Sequence, residues 1–172
     1  MRRKLTVFLI IFVCFLLQTT LFQVLSFASI SPNLLIIIVS AFGFMRGRKE
    51  GMYIGFFTGL LFDVFYGTVL GFYALVFMYV GYINGMFRRF FFPDDIKLPM
   101  VLIATSDVVY NFAVYFLKFV FRNQFHIGYY FMNIIVPELV YTLLVMILLY
   151  PILLVVNQKL EAIEKRSAAK FV

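Results

Sequence analysis

Residues 31–63, SPNLLIIIVSAFGFMRGRKEGMYIGFFTGLLFD, hold two apolar segments on either side of one charged loop. At a rise of about 1.5 Å per residue, neither segment easily crosses the ~30 Å hydrocarbon core of a bilayer. We therefore expect a tight helical hairpin that lies deep in a helix bundle or thins the bilayer around it. The charged loop at residues 46–50 must reach water.

The rest of the chain is also apolar. Of its 172 residues, 64% are hydrophobic and 13% are charged, and the mean hydropathy is +1.01. A soluble domain contains only about 45–50% apolar residues, so a water-soluble fold is excluded. No period-two alternation typical of barrel strands is sustained, so the segments are expected to be helices.

The apolar segments predict an all-α, polytopic membrane protein that folds as a six-transmembrane-helix bundle. The whole chain, residues 1–172, forms one integral-membrane domain in this interpretation. The predicted spans are residues 5–28, 32–45, 50–66, 68–87, 99–121 and 129–156, followed by a cytoplasmic tail at 157–172. The first span follows three basic residues as a signal peptide does, but it is longer than a signal-peptide core, and we expect it to be retained.

Lysines and arginines predict the orientation of the bundle. Six spans with a cytoplasmic N-terminus place 13 of the 15 basic residues on the cytoplasmic side, whereas Lys118 and Arg122 lie near the outer face. We therefore expect both termini in the cytoplasm, with the protein in the plasma (inner) membrane. The net charge of +7 is then a topology signal and not a footprint for nucleic acid. The basic groups also suit contact with anionic membrane lipid.

The sequence contains no recognisable catalytic motif. A phosphate-binding P-loop, a His-Glu-x-x-His pair and a serine nucleophile elbow are all missing from it. Cys14 is the one cysteine, and His126 has no second ligand type close to it in the sequence. The sequence therefore predicts a protein that is not an enzyme and that needs neither a metal nor a cofactor.

Small residues form a stripe on the third span. Gly51, Gly55, Gly59 and Asp63 recur every four residues and so lie on one face of a helix. Small residues at this spacing let a second helix approach closely, because no side-chain bulk separates the two backbones. These four residues are our candidates for helix packing or partner contact. Whether the second helix belongs to this chain or to another protein stays open.

Polar residues within the apolar segments are expected to face the bundle interior, because each of them costs free energy in lipid. Counting from the span ends places Asp63 and Glu138 at similar depth in the outer half and Asp107 nearer the inner half. The candidates for an intramembrane polar core are Gln18, Asp107, Lys118, Asn133 and Glu138. Two interpretations stay open: a structural lock between helices, which we favour, and a pocket for an ion or ligand.

Residues 31–87 resemble the central segment of the rod shape-determining protein family MreD. The similar features are a Pro-Asn opening, a basic loop, the pattern GFxxGLxxD at residues 55–63 and the pattern LGxxAL at residues 70–75. The ending PELVYTLLVMILLYPILL, residues 137–154, is similar to the last span of the same family. The resemblance covers roughly half of the chain.

This resemblance implies a non-enzymatic membrane scaffold of the bacterial elongasome, which supports rod shape and side-wall peptidoglycan synthesis. It also implies an MreC-like membrane protein as partner, with links to MreB and to RodA and its transpeptidase. The family is similar in architecture to the substrate-binding subunits of energy-coupling-factor transporters. The alternative function is therefore the substrate-binding membrane subunit of a vitamin transporter. Handling of a lipid-linked precursor is a third hypothesis.

Overall fold

The computed structural model describes residues 2–24, 31–67, 69–92, 96–122 and 127–169. Within these ranges the chain is helical and contains no β-strand, so the predicted all-α class is confirmed. The helices are α1 Arg2–Val24, α2 Leu34–Arg46, α3 Arg48–Tyr66, α4 Phe72–Met86, α5 Lys97–Arg122, α6 Ile127–Tyr130 and α7 Val136–Ala169. A 3₁₀ turn, Phe87–Phe90, follows α4, and a π-helical segment, Phe131–Ile135, joins α6 to α7.

The helices follow the predicted spans with shifted ends. α4 begins four residues later than the predicted fourth span, because a turn that includes Gly71 precedes it. α7 continues past the predicted end of the last span, so the tail is helical as far as Ala169. Two helical stretches, Lys97–Leu117 and Gly128–Glu164, are long and apolar enough to cross a membrane, and Leu5–Thr20 and Leu34–Arg46 are shorter apolar helices.

The short helix α2 lies at the centre of the bundle. All of its 13 residues are buried, and it contacts α1, α3, α4, α5 and α7. A helix of this length spans only about 20 Å, which is less than the thickness of a bilayer core. Its two ends therefore depend on neighbouring helices for their hydrogen-bond partners. Of the expected hairpin, only α2 lies deep in the bundle, because α3 exposes Tyr53, Phe57 and Val64.

Helices α3 and α4 pack backbone against backbone along the glycine stripe. A Cβ atom added at Gly55 would lie 2.1 Å from the carbonyl oxygen of Phe77, and one at Gly51 would lie 2.3 Å from that of Gly81. At Gly59 the nearest atom, the carbonyl oxygen of Tyr73, would be 2.4 Å away. Such separations leave no room for a methyl group. The stripe is thus filled by α4 of the same chain.

We predict that Gly55→Ala destabilises the fold. The added methyl group must push α3 away from α4, and overpacking of this kind costs about 1–3 kcal/mol. Gly128→Ala is the matched control, because a Cβ atom at Gly128 meets no atom within 4 Å. Thermal unfolding of the purified protein in detergent should show a lower midpoint for the first variant only. Equal midpoints for both variants would mean that the two backbones do not touch.

Candidate functional site

Side chains from other parts of the chain satisfy the N-terminus of α2. Asn33 is its N-cap, and Asn33 Oδ1 accepts a hydrogen bond from the Ile36 N–H at 3.2 Å. Gln18 Oε1 on α1 accepts from the Leu35 N–H at 3.2 Å. The N–H of Asn33 itself donates to Thr142 Oγ1 on α7 at 3.1 Å. The first N–H groups of a helix have no partner within the helix, so these contacts tie α1 and α7 to the central helix.

Asp63 satisfies the N-terminus of α4 in a similar way. Its side chain is buried, and its carboxylate accepts hydrogen bonds from the N–H groups of Gly71 at 3.1 Å, Tyr73 at 3.1 Å and Ala74 at 2.9 Å. A carboxylate at a helix N-terminus also interacts favourably with the positive end of the helix dipole. Gly71 has φ +95°, a conformation that favours glycine. Asp63 therefore closes the α3–α4 hairpin.

Asp107 is a buried acid in a different environment. Its side chain has 0% exposure, and neither of its carboxyl oxygens has a partner in hydrogen-bond geometry among the described residues. The hydroxyl of Thr142 on α7 lies within reach as a hydrogen-bond donor to this carboxyl group, and Glu138 on the same helix influences it electrostatically. One turn further along α5, the ring of Tyr110 packs 6.1 Å from that of Tyr73. Buried acidic and tyrosine side chains therefore lie in the same region, between α4, α5 and α7.

The carboxyl and hydroxyl oxygens between α4, α5 and α7 can accept hydrogen bonds, but they do not form a metal-ligand set. No group of three or more histidine, cysteine, aspartate or glutamate side chains with suitable geometry occurs in the described part of the chain. The same groups also hold helices together through polar contacts inside the bundle. The geometry therefore leaves two chemical roles for Asp107 and Glu138: fastening of α5 to α7, or binding of a small ligand.

A second polar layer links α2, α4 and α5. Asn84 Nδ2 donates to Ser106 Oγ at 2.7 Å and lies 3.4 Å from Ser40 Oγ. All three side chains are buried. Hydrogen bonds between helices of this kind are worth about 0.6–2 kcal/mol each inside a membrane protein. The layer therefore fixes the positions of three helices relative to one another.

Arg46 joins the C-terminal end of α2 to the extension of α7. Its Nε donates to Asn157 Oδ1, and its Nη1 lies 3.2 Å from Glu164 Oε2 and 3.9 Å from Glu161 Oε1. Arg46 is only 9% exposed, which corrects the expectation that the whole charged loop reaches water. The other basic residues of that loop, Arg48 and Lys49, are exposed. A cation in the last turn of a helix also complements the helix dipole.

The structure separates the members of the predicted polar core. Asp107 and Glu138 interact electrostatically across α5 and α7. Gln18 caps α2 instead of joining the two acids. Asn133 is exposed, which corrects its prediction as a member of the core: it lies in the π-helical segment before α7, so the regular spacing assumed for the last span does not apply to it. The side chain of Lys118 lies outside the described residues.

Sequence reasoning missed several polar side chains that connect the helices. The missed residues are Asn33, Asn84, Ser106, Thr142 and Asn157. The sequence does indicate a role for Asn33, because an asparagine directly before an apolar helix is a preferred N-cap. The others are single polar residues in apolar segments, and the partners of such residues depend on the tertiary fold.

A lateral groove of about 490 Å³ runs between α1 and α3. It is lined by Val7, Phe8, Ile11, Glu50, Tyr53, Ile54 and Phe57. Glu50 is the one charged residue of this lining. The aromatic residues of the lining are each more than half exposed: Phe8 56%, Tyr53 59% and Phe57 57%. The groove therefore opens towards the surroundings of the bundle.

These features define an all-helical membrane protein in which internal polar groups fasten helices to one another. The family can be stated more closely. Residues 1–160 match the family model described as rod shape-determining protein MreD, so the chain belongs to the MreD family. It is thus a rod shape-determining membrane protein, and its family is part of the bacterial shape-determining system with MreC and MreB. No curated protein and no solved structure matches the chain.

We predict effects of different size for the same substitution at the two buried aspartates. Asp63→Asn replaces a carboxylate that accepts three N–H groups by an amide that has one acceptor oxygen, which leaves buried donors unsatisfied at about 1–3 kcal/mol each. Asp107→Asn removes no hydrogen bond from a backbone N–H group and should lower the free energy of unfolding less than Asp63→Asn does. Unfolding in detergent, followed by circular dichroism, measures both.

The reverse ranking, with Asp107→Asn the more damaging, would show that the Asp107 carboxyl group has a donor or ligand of its own.

Proposed function

We propose that this MreD-family protein is a multi-pass, non-enzymatic membrane scaffold of the elongasome. In this proposal it binds an MreC-like membrane protein and so supports rod shape and side-wall peptidoglycan synthesis. MreB, RodA and its transpeptidase belong to the larger complex. The observation that carries the proposal is the family match over residues 1–160.

The use of the buried polar groups supports a scaffold. Asp63, Gln18 and Asn33 bind backbone N–H groups, and Arg46 binds the extension of α7. Groups engaged in this way are not available for proton transfer or nucleophilic attack. A rigid bundle that presents fixed surfaces to other membrane proteins is the function that such an arrangement serves best.

The exposed surface supports recognition within the bilayer. Large apolar side chains are exposed on every long helix, for example Phe8 on α1, Phe57 on α3 and Leu148 on α7. Because lipid tails are as apolar as these side chains, helix association in a membrane relies on close packing and polar matching. An MreC-like partner with a transmembrane helix meets this requirement.

The pair Asp107 and Glu138 favours a second candidate function, the vitamin-binding subunit of an energy-coupling-factor transporter. The buried carboxyl oxygens of Asp107 lie near the hydroxyl of Thr142 and are also able to accept hydrogen bonds from a small ligand. Mass spectrometry of the purified protein would detect a vitamin that stays bound. Recovery of a transporter energising module in place of wall-elongation proteins would identify this function and reject the scaffold.

The scaffold predicts a change of cell shape. Depletion of the protein in its native host should turn rods into spheres and release the MreC-like partner from its complex, as measured by microscopy and by co-purification with a tagged partner. Re-expression of the unaltered chain is the control and should restore both. Rods that keep their shape but lose uptake of one vitamin would contradict the proposal.

The proposed topology places both termini and residues 46–50 in the cytoplasm. We predict that in a Cys14→Ala background a membrane-impermeant thiol reagent labels Asn123→Cys in spheroplasts, because the loop that contains it faces outward. Lys49→Cys, at an exposed position at the start of α3, should be labelled only after permeabilisation. Labelling of Lys49→Cys without permeabilisation would rule out this orientation.

A further inference from the structure

Four cations on two separate segments form one basic patch at the open end of the α3–α4 hairpin. They are Arg48 and Lys49 at the start of α3, and Arg88 and Arg89 in the 3₁₀ turn after α4, and all four are exposed. We propose that this basic patch binds the headgroup of an anionic phospholipid that carries two phosphate groups. Such a lipid site is separate from the proposed scaffold function, because it holds whichever protein partner the chain binds.

Two glycines hold the two basic segments against each other. A Cβ atom added at Gly85 would lie 2.5 Å from the backbone nitrogen of Arg48, so the end of α4 directly contacts the start of α3. The side chain of Arg88 crosses Gly47, where its Cδ would lie 2.9 Å from an added Cβ atom. Backbone packing therefore brings the cations together, and a bound anion relieves the repulsion between them.

Aromatic contacts fix the 3₁₀ turn in place. The ring of Phe91 packs 5.4 Å from that of Phe44 on α2, and the Phe91 N–H donates to the carbonyl oxygen of Arg88 at 3.0 Å. The guanidinium carbon of Arg89 lies 4.6 Å from the centroid of the Phe90 ring. Stacking of this kind uses the flat face of the guanidinium group. The N–H groups in its plane stay available to a phosphate, which they bind through two parallel hydrogen bonds.

No acidic side chain neutralises the basic patch within the part of the chain that the structure describes. The ion pairs there join Arg46 to Glu161 and Glu164 on α7, and neither pair includes a member of the patch. Glu50 follows Arg48 by two residues, which is about 200° around a helix, and it lines the groove beside α1. Four positive charges therefore match a lipid with two phosphate groups better than a lipid with one.

Apolar side chains beside the patch favour a lipid over an acidic cytoplasmic protein. Phe87, Phe90 and Phe92 are 37%, 44% and 64% exposed, and they flank the two arginines in the stretch FRRFFF. A phospholipid has acyl chains next to its phosphate groups, so it covers the phenylalanines and neutralises the arginines at the same time. An acidic soluble protein would neutralise the charges without supplying acyl chains to the rings.

Fluorescence quenching locates the lipid, because the chain contains no tryptophan. A single tryptophan is introduced as Phe92→Trp beside the patch or, as the matched control, as Phe116→Trp near the other end of α5. The two positions are 64% and 67% exposed. In phosphatidylcholine nanodiscs with a minor fraction of cardiolipin, a lipid with two phosphate groups, brominated on its acyl chains, we expect stronger quenching at position 92. Equal quenching at the two positions would overturn the inference.

The same signal tests the arginines of the patch. In the Phe92→Trp chain, Arg48→Gln with Arg88→Gln should weaken the apparent affinity for cardiolipin about thirtyfold, because two cations that contact phosphate are lost. Melting curves verify that the variant folds. A folded variant that is quenched as strongly as the chain with both arginines would contradict the proposed site.

A lysine pair repeats the test without touching the packing of Arg88 on Gly47. Lys49→Gln should weaken cardiolipin binding about fivefold, as measured by native mass spectrometry of the purified chain. Lys159→Gln on α7 is the matched control, because it removes the same charge from another exposed position. It should bind as the unaltered chain does. Equal losses in the two variants would mean that net charge, and not the patch, attracts the lipid.

Other ligands give different results in these measurements. Brominated phosphatidylglycerol at twice the mole fraction supplies the same number of phosphate groups, and we expect it to quench position 92 less than cardiolipin does. Equal quenching would reject the preference for two phosphates on one lipid. If the arginine variant loses an acidic cytoplasmic protein and keeps its quenching by cardiolipin, the patch is a protein surface, and the inference is wrong. The scaffold proposal stands in each case, because the quenching samples contain only the purified chain and lipid.

Discussion

The backbone N–H groups at the start of α2 and α4 must find acceptors inside the protein, and much of the arrangement of this bundle depends on that requirement. A bilayer core supplies no water to replace a missing hydrogen bond, so a helix that starts within the bundle needs side chains to cap it. Gln18, Asn33 and Asp63 are those caps. Two of the three belong to a helix other than the one they cap.

Capping by other helices determines which helices are neighbours. α1 has to lie beside the N-terminus of α2 for Gln18 to reach Leu35, and α7 has to lie there for Thr142 to accept from Asn33. At the other end of α2, Arg46 binds α7 again. The central helix is thus held by α7 at both ends, which fixes its depth in the bundle as well as its neighbours.

The sequence predicted the parts of this architecture that depend on local spacing. Gly51, Gly55, Gly59 and Asp63 lie four residues apart, so their common face follows from the helical period alone. The contact between Arg46 and Asn157 joins residues 111 positions apart, and no period reveals it. Depth counting from span ends assumes regular helices, and the spacing of the sequence does not reveal the π-helical segment that precedes α7.

Because α4 packs on the glycine stripe, substitutions in the stripe act on folding and not on the binding of a partner. A variant of Gly55 changes the distance between α3 and α4 and so acts on the fold, whichever partner is present. The walls of the α1–α3 groove are exposed, and their truncation removes little of the packing within this chain. Loss of rod shape in a glycine variant would therefore report a failed bundle, whereas loss of rod shape in a variant of an exposed side chain with an unchanged melting midpoint would report the loss of an interaction outside this chain. Stability and partner recovery have to be measured together to assign any such phenotype.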